Sequence, residues 1–441
     1  MPFPKTPIFK AWQSKILFGV FFGYTAYHML RLNLAMAMPS LKTEFALTNA
    51  EAGWIFSGFT FAYAMGRLVN GFLSDKNNAR YFMTLGLVLC AALNLCFLGV
   101  HSYIGFLVLW TLNGWFQTMG GPASSRMLTH WFPAREMGTK WALWSCSNPV
   151  GGGITFLVTG ALITSLGWKV AFVIPAVIAC LFVPVLLWIL RDRPEDVFGP
   201  ALHTDKPEKN ADTPSHPDDV IEARNWPTAD IFKQVLANKN IWLICLASFS
   251  LYFVRTGFLN WCPVILKELR GFSPQTAGQM GFIYEMGGLA GGLLAGWISD
   301  KMFQGRRGPV GFFFMSSLTL VIYGFWAMPV ITPWIDTVMM VMFGFFSFGP
   351  QVLVGVAAAD FATKKAVGVG TGIVGSCGYL GATCSGFGVG QLIDHFGGWH
   401  AGLVAFAGMA FLGSVAFGLT SLSMKKQRII KESQDSAPTK P

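Results

Sequence analysis

About twelve apolar stretches, each about 20 residues long, divide this 441-residue chain. A helix of that length spans the hydrocarbon core of a bilayer. Composition agrees, because 53% of the residues are hydrophobic and only 12% are charged, against about 25% in soluble proteins. We therefore predict an all-α membrane protein. The predicted spans are 16–38, 51–73, 81–100, 103–128, 140–166, 168–190, 238–262, 274–300, 309–330, 332–358, 366–394 and 398–424.

One long segment interrupts this pattern, between the sixth and seventh spans, and it is rich in proline and charge. Such a composition is typical of a surface linker. The predicted organisation is an N-terminal six-helix bundle (1–190), a cytoplasmic linker (191–237), a C-terminal six-helix bundle (238–424) and a cytoplasmic tail (425–441).

The positive charges indicate an orientation. With twelve spans, most of the 32 Lys and Arg residues fall on the N-terminus, the even-numbered junctions and the tail. The opposite face holds only Lys42, Lys169, Lys267 and Arg270. The positive-inside rule then places both termini in the cytoplasm of a multi-pass protein. The net charge of +10 reflects this topology and does not indicate a nucleic-acid partner. The absence of a transit-like N-terminus favours a bacterial inner membrane.

Cofactor and metal chemistry find no support in the sequence. All eight cysteines lie in apolar spans, without a CxxC pair or a histidine at ligand spacing, so we expect packing roles. The chain has no Walker sequence, HExxH motif or nucleophile elbow. We predict a non-enzyme that needs no cofactor and no metal.

The two halves of the chain carry an internal repeat. Residues 52–76 align without a gap on 277–301, with Asp75 matching Asp300 and Lys76 matching Lys301. Counted back from these aspartates, Arg31 and Arg255 are equivalent to within one residue. Parallel repeats place equivalent positions at one depth around a central cavity. We therefore expect Arg31 and Arg255 to face each other there.

Two buried arginines predict a compact anionic ligand. Each costs roughly 2.5–3.5 kcal/mol at mid-membrane, and a guanidinium offers a planar fork of donors that matches phosphate or carboxylate oxygens. Snorkelling toward a headgroup and a structural ion pair remain alternatives, most of all for Arg67 on the second span. The sequence thus predicts phosphate binding by Arg31 and Arg255, with Arg67 as a third candidate.

Further polar and aromatic residues accompany the arginines. Tyr24, Tyr27, His28 and Arg31 form one helical stripe, and Tyr252 lies three residues before Arg255. Tyrosines can stack on a sugar, although packing is their commoner role. His28 either binds phosphate or follows its protonation, or it simply hydrogen-bonds to a neighbouring residue in the protein.

Three acidic residues are also singled out. Glu285 is a candidate partner of Arg255 in an empty cavity or a proton carrier. Asp75 and Asp300 lie at cytoplasmic span ends, followed by basic residues that include Arg80 and Arg306. These four charged residues can bridge helices in one conformation only, which suggests gating.

The paired motif G-x-x-x-D-[RK] resembles the signature of the major facilitator superfamily. Six further stretches resemble its organophosphate:phosphate antiporter family: "GYTAYHMLRLNLAMAMP", "SDKNNARYF", "NGWFQTMGGP", "YFVRTGFLNW", "GRRGP" and "FGPQVLVGVAAADFATKKAVG". The resemblance implies two pseudo-symmetric six-helix bundles and a phosphate clamp of Arg31 and Arg255. It implies that Arg67 replaces a lysine, and that Tyr24, Tyr252, Tyr379, Trp144 and Glu285 line the cavity.

Within that family, the resemblance favours the hexose-phosphate branch, with Gln351 available for sugar hydroxyls. It implies exchange of a sugar phosphate such as glucose 6-phosphate for inorganic phosphate by alternating access. However, Thr371 and Val374 stand where the transporting members carry an acid and a lysine, and a hexose-phosphate receptor resembles this chain there. A non-transporting membrane sensor with a kinase partner and a glycerol-3-phosphate antiporter therefore remain alternatives. The expected partners are otherwise the lipid bilayer and small phosphorylated substrates.

Overall fold

A computed structural model describes residues 6–199, 228–304, 306–328, 333–361 and 366–435. These residues form helices joined by short turns, and the described part of the chain contains no strand. Each of the twelve predicted spans falls on a helix or on two successive helices. The all-α prediction is confirmed. Residues 200–227, which make up most of the predicted linker, and the end of the predicted tail lie outside the described residues.

In the described part of its first half, the chain contains eight long helices and one short one. They are α1 (Pro7–Glu44), α2 (Asn49–Lys76), α3 (Ala79–Cys96), α4 (Tyr103–Gln117), α5 (Gly120–Trp131), α6 (Ala134–Ser145), α7 (Ser147–Leu166), α8 (Val170–Ile189) and α9 (Glu195–Phe198). A short 3₁₀ helix, Phe97–Gly99, follows α3. The fourth and fifth predicted spans are each built from two helices, α4 with α5 and α6 with α7.

Among the described residues of the second half, six long helices follow a shorter one. They are α10 (Thr228–Ala237), α11 (Lys239–Arg270), α12 (Pro274–Lys301), α13 (Arg307–Ala327), α14 (Pro333–Phe361), α15 (Val367–Phe396) and α16 (Trp399–Asp435).

Local sequence signals explain where several helices begin and end. Thr48 caps α2: its hydroxyl accepts a hydrogen bond from the Glu51 N–H at 3.1 Å, while the Glu51 carboxylate accepts one from the Thr48 N–H at 2.9 Å. This reciprocal capping box satisfies two N–H groups that have no partner within the helix. At the C-terminal end of α7, Gly167 adopts a φ of 78° and terminates the helix. Glycine reaches this left-handed conformation at no steric cost.

The chain divides into two compact units. Among the described residues, the first unit holds those within Met1–Pro214, together with Leu259–Met286 and Gly386–Gly397. The second holds those within Ser215–Phe258, Gly287–Ser385 and Gly398–Pro441. Helices α11, α12 and α15 each contribute residues to both units, and the division into two six-helix bundles stays a prediction.

In the first unit, α1 packs against α7 and α8, α3 packs against α8, and α2 packs against α4. Its core is aromatic near one end of α1, where Phe9 stacks on Trp131 with ring centroids 5.7 Å apart. In the second unit, α13 packs against both α14 and α16. Phe314 of α13 is fully buried there and stacks on Phe345 of α14.

Seven helical segments in the described part of the chain are long and apolar enough to cross a membrane. They are Ala79–Gly99, Arg135–Leu166, Val170–Ile189, Lys239–Arg270, Arg307–Ala327, Trp334–Phe361 and Trp399–Ser423. Helices α1 and α2 are outside this set although they are long, and they are the helices that carry Arg31 and Arg67. Polar residues of a candidate site thus lower the hydropathy of the spans that hold them.

Candidate functional site

Arg31, on α1, lies against two aromatic rings of α2. Its guanidinium carbon is 5.2 Å from the centroid of the Phe59 ring and 5.0 Å from that of Tyr63. Phe59 and Tyr63 are one helical turn apart, so their rings cover the same side of α2. Cation–π attraction to these two rings holds the arginine in place.

Tyr63 connects several of the predicted residues. Its side chain is hydrogen-bonded to that of Tyr24, and Arg31 and Arg67 both lie within electrostatic range of its hydroxyl. The Tyr24 ring in turn lies 4.9 Å from the ring of Trp144 and 4.9 Å from that of His28. The structure therefore brings Tyr24, His28 and Trp144 together in the first unit. They form one cluster with Arg31 and the two rings that stack on it, those of Phe59 and Tyr63.

Tyr27 and His28 are placed differently from each other. Tyr27 is fully buried; its hydroxyl donates a hydrogen bond to the Met83 carbonyl at 2.7 Å, and its ring packs on Gly120. It anchors α1 in the core. His28 is at the edge of the cluster, with its Nδ1 atom 3.2 Å from the Tyr24 carbonyl oxygen.

Arg255, the repeat partner of Arg31, lies in the second unit over the Phe348 ring, with its guanidinium carbon 3.9 Å from the centroid. Its Nε atom is buried and has no hydrogen-bond partner among the described residues. Such a buried donor is costly unless a ligand supplies the acceptor. Gln351, one turn along α14 from Phe348, is half-buried.

Tyr252 and Tyr379 also come together in the second unit, with ring centroids 5.5 Å apart. Gly378 makes this approach of α11 and α15 close, because a Cβ there would lie 2.9 Å from the Tyr252 ring. The predicted residues of this half thus form an arginine with a stacked ring and a tyrosine pair.

Glu285 is 2% exposed and lies in the first unit. It packs against the glycines of α7, where a Cβ on Gly152 would lie 2.7 Å from its Oε1 atom. Cys262 of α11 is a further neighbour within electrostatic range. Gly152 is therefore needed for the carboxylate to reach this position; the pairing of Glu285 with Arg255 stays a prediction.

The first predicted gating region is organised by an arginine that the sequence did not single out for gating. Arg126 of α5 donates hydrogen bonds to the carbonyl groups of Ser74 and Asp75 and forms an ion pair with Asp192 at 3.0 Å. The Asp75 side chain is exposed. Arg80 donates a hydrogen bond to the Leu187 carbonyl at the end of α8.

In the second gating region, Arg307 rather than Arg306 contacts Asp300. Its Nη1 atom is 2.5 Å from a carboxylate oxygen of Asp300 and 2.8 Å from the Ser299 hydroxyl, and its Nε atom is 3.7 Å from Asp360. Arg306 precedes the first turn of α13 and is exposed.

Sequence reasoning missed Phe59, Tyr63, Phe348 and Arg307. For Tyr63 a signal existed, since it precedes Arg67 by one turn of α2 and follows Phe59 by one turn. No comparable signal links Phe348 to Arg255, because they lie on different helices. The described residues contain no group of three or more His, Cys, Asp or Glu that could hold a metal ion. The arrangement offers cations on aromatic platforms and tyrosine hydroxyls, which can bind an anion.

A sequence model of the Major Facilitator Superfamily matches residues 20–386. The chain is 36% identical to the "Probable hexose phosphate transport protein" of Chlamydia trachomatis, over 96% of this chain and 94% of that protein. It is 34% identical to the "Glycerol-3-phosphate transporter" of Bacillus subtilis, over 93% of both chains. It is 33% identical to the "Membrane sensor protein UhpC" of Escherichia coli, over 94% of this chain and 92% of that protein.

Solved structures agree on the fold. The crystal structure of a bacterial homologue of the human lysosomal transporter Spinster, inward-facing and unoccupied, superposes with a TM-score of 0.72 at 15% identity, over 96% of this chain and 99% of that one. A D-xylose–proton symporter superposes with a TM-score of 0.68 at 16% identity, over 93% and 97%.

Proposed function

Because the chain belongs to the major facilitator superfamily, in its organophosphate:phosphate antiporter branch, we propose that it exchanges a hexose 6-phosphate for inorganic phosphate. The relatives support a membrane transporter of small organophosphates. The choice of a hexose 6-phosphate, and its exchange for inorganic phosphate, depend on the two repeat-equivalent arginines.

The observation that carries the proposal is that Arg31 and Arg255 each rest on an aromatic ring of their own unit. A guanidinium held in this way has lost most of its side-chain freedom before the ligand arrives. Phosphate can accept hydrogen bonds from both forks at once. Tyrosine hydroxyls and Gln351 then supply partners for a sugar.

The positive charges of Arg31 and Arg255 lead us to expect exchange rather than net uptake. An anion that binds both arginines favours the closed intermediate, and without the anion that intermediate loses this stabilisation. The empty protein should therefore reorient slowly, and exchange should be faster than net uptake. The orientation with both termini in the cytoplasm of a bacterial inner membrane is part of this proposal.

The test is uptake of radiolabelled phosphate into proteoliposomes preloaded with phosphate, glucose 6-phosphate, glycerol 3-phosphate or buffer. We expect rapid counterflow with internal phosphate and glucose 6-phosphate, slower counterflow with glycerol 3-phosphate, and little uptake with buffer. Equal uptake into empty vesicles would exclude obligatory exchange. Faster counterflow with glycerol 3-phosphate would move the chain to that substrate class.

A second candidate is a non-transporting sensor of external hexose phosphate. It is favoured by Thr371 and Val374, which stand in the sequence where transporting relatives carry charges, and by the identity to the sensor protein. Binding of glucose 6-phosphate without any counterflow in the same vesicles would support the sensor, and its output would then require a partner protein.

A further inference from the structure

Three positively charged residues gather where α1, α3 and α8 meet at one end of the first unit. Arg80 is the second residue of α3 and donates a hydrogen bond to the Leu187 carbonyl. Arg191 follows α8 and donates hydrogen bonds from one nitrogen to the carbonyls of Trp188 and Leu190, at 3.0 and 2.7 Å. Lys15 of α1 lies 6.0 Å from the ring centroid of Trp188. We call Lys15, Arg80 and Arg191 the basic patch.

Aromatic rings hold two members of the basic patch together. The Lys15 ammonium nitrogen is 4.7 Å from the centroid of Trp12, and the guanidinium carbon of Arg191 is 5.5 Å from the same centroid. Both cations therefore lie over the ring of a single tryptophan, Trp12. Contacts of this kind fix their positions without neutralising them.

No carboxylate lies within ion-pair distance of the basic patch in the part of the chain that the structure describes. The nearest candidate in the sequence is Asp192, which follows Arg191, but its carboxylate is paired with Arg126. The helix carbonyls supply only partial negative charge. Within the described residues, these three positive charges thus have no neutralising carboxylate.

An exposed apolar surface extends from the basic patch along two helices. On α8, Leu181, Val185 and Trp188 recur at i, i+4 and i+7 and are 67%, 43% and 71% exposed. Tyr81, Leu85 and Val88 repeat the same spacing on α3, and α3 packs directly against α8. Exposed apolar side chains along a membrane-spanning helix face acyl chains.

From this juxtaposition we propose that the basic patch binds the headgroup phosphate of an anionic phospholipid, whose acyl chains lie along the exposed stripes of α3 and α8. Clusters of Lys and Arg at the ends of spans attract anionic headgroups, and a tryptophan such as Trp188 lies at the interface between headgroups and acyl chains. The long side chains of Lys15 and Arg191 extend to that interface. This site is separate from the proposed transport site on Arg31.

The test is native mass spectrometry of the detergent-solubilised full chain titrated with phosphatidylglycerol, with phosphatidylcholine as the uncharged reference. Lys15→Gln and Arg191→Gln should each weaken the binding of the first phosphatidylglycerol molecule by about fivefold. This is the effect of removing one positive charge near a membrane surface. Arg191→Lys, which keeps the charge, should retain most of the affinity. Unfolding temperatures in phosphatidylcholine should match the wild type for all variants, which separates lost binding from misfolding.

Lys169→Gln is the matched control, because Lys169 precedes the first residue of α8 and lies 5.9 Å from the Trp168 ring at the opposite end of that helix. It should leave phosphatidylglycerol binding unchanged. An equal loss in Lys169→Gln, or no loss in Lys15→Gln and Arg191→Gln, would overturn the site. Displacement of the lipid by inorganic phosphate at equal concentration would assign the basic patch to a soluble phosphate instead.

Discussion

The ring of Phe348 occupies the space above Gly288, where any Cβ would overlap it. In the internal repeat, Gly288 is the counterpart of Tyr63, the residue whose ring stacks on Arg31. Helix α2 thus supplies the ring for Arg31 from its own side chain. Helix α12 instead has a glycine at this position, and α14 supplies the ring for Arg255. Both arginines obtain an aromatic platform by different routes.

The glycine is predicted to be essential for the platform in the second unit. Gly288→Ala should displace Phe348 from Arg255 and weaken phosphate binding by about tenfold, within the range expected for a desolvated cation–π contact. Binding is measured by phosphate protection of the purified protein against thermal unfolding.

Gly292→Ala, one turn further along α12, is the control. Its Cβ would meet no atom closer than 3.7 Å, so we expect wild-type protection. Similar losses in both variants would indicate a general effect on α12 and contradict the specific role of Phe348.

In the first unit, the ring of Tyr63 should matter more than its hydroxyl for holding Arg31. Tyr63→Phe keeps the ring 5.0 Å from the guanidinium and removes the hydrogen bond to Tyr24. Tyr63→Leu removes both. We predict about fivefold weaker phosphate binding for Tyr63→Leu and a smaller loss for Tyr63→Phe, measured by competition with labelled phosphate. A larger loss in Tyr63→Phe would assign the main contribution to the hydroxyl.

At the predicted cytoplasmic end, Arg307 should be required and Arg306 dispensable. Arg307→Gln removes the charged partner of Asp300 and a cation that lies 3.7 Å from Asp360. We expect a loss of at most about 1 kcal/mol in stability, because the Asp300 side chain is 63% exposed and solvent screens the pair, and slower counterflow. Arg306→Gln removes an exposed charge of the same kind one residue earlier and should resemble the wild type. The reverse order of effects in thermal unfolding and counterflow would refute the assignment.

At the N-terminal end of α2, Asp394 of α15 is predicted to hold the first turn of α2 against α15. Its carboxylate accepts hydrogen bonds from the Ala50 N–H at 2.7 Å and from the Asn49 side-chain amide at 2.7 Å. Asp394→Ala should cost about 1 kcal/mol, as for loss of a helix cap, and should expose Ser57, which is 2% exposed and accepts a hydrogen bond from the Phe387 N–H.

The readout for Asp394→Ala is alkylation of Ser57→Cys by a membrane-impermeant maleimide in a background without native cysteines. We expect faster labelling when Asp394→Ala is added. Gln391→Ala, an exposed position on the same helix, should leave labelling unchanged. Unchanged labelling in Asp394→Ala would mean that the carboxylate does not restrain this end.

The spans could be predicted from sequence, and so could the repeat that matches Arg31 with Arg255, because both depend on periodic features; that the two arginines bind phosphate stays a prediction. The lengths of the apolar stretches predicted the spans. The aspartate shared by both copies of the repeat gave the alignment in which Arg31 matches Arg255. The same approach could not separate Tyr27 from Tyr24. Both are on the stripe, yet α1 is packed on several sides, so Tyr27 points into the core and bonds to Met83. In such a helix, periodicity alone does not distinguish the cavity from the core.

Long-range partners were also beyond sequence reasoning. Phe348 lies 60 residues beyond Gly288, and only the packing of α12 against α14 shows that one fills the space of the other. Arg306 and Arg307 differ by one position, and the start of α13 decides which side chain turns toward Asp300. A single-residue change in a helix boundary rotates a side chain by about 100°.

The central claim is that Arg31 and Arg255 clamp one phosphate together. It is tested most directly by counterflow of radiolabelled phosphate into phosphate-loaded proteoliposomes for Arg31→Lys, Arg255→Lys and the double variant. Arg135→Lys serves as the control, since Arg135 is exposed and pairs only loosely with Glu136. Because a fork cannot be replaced by a point charge, we predict about a tenfold or larger loss in each single variant. Groups that act as one unit are not additive, so the double variant should be little worse. Wild-type counterflow in either single variant would contradict the clamp.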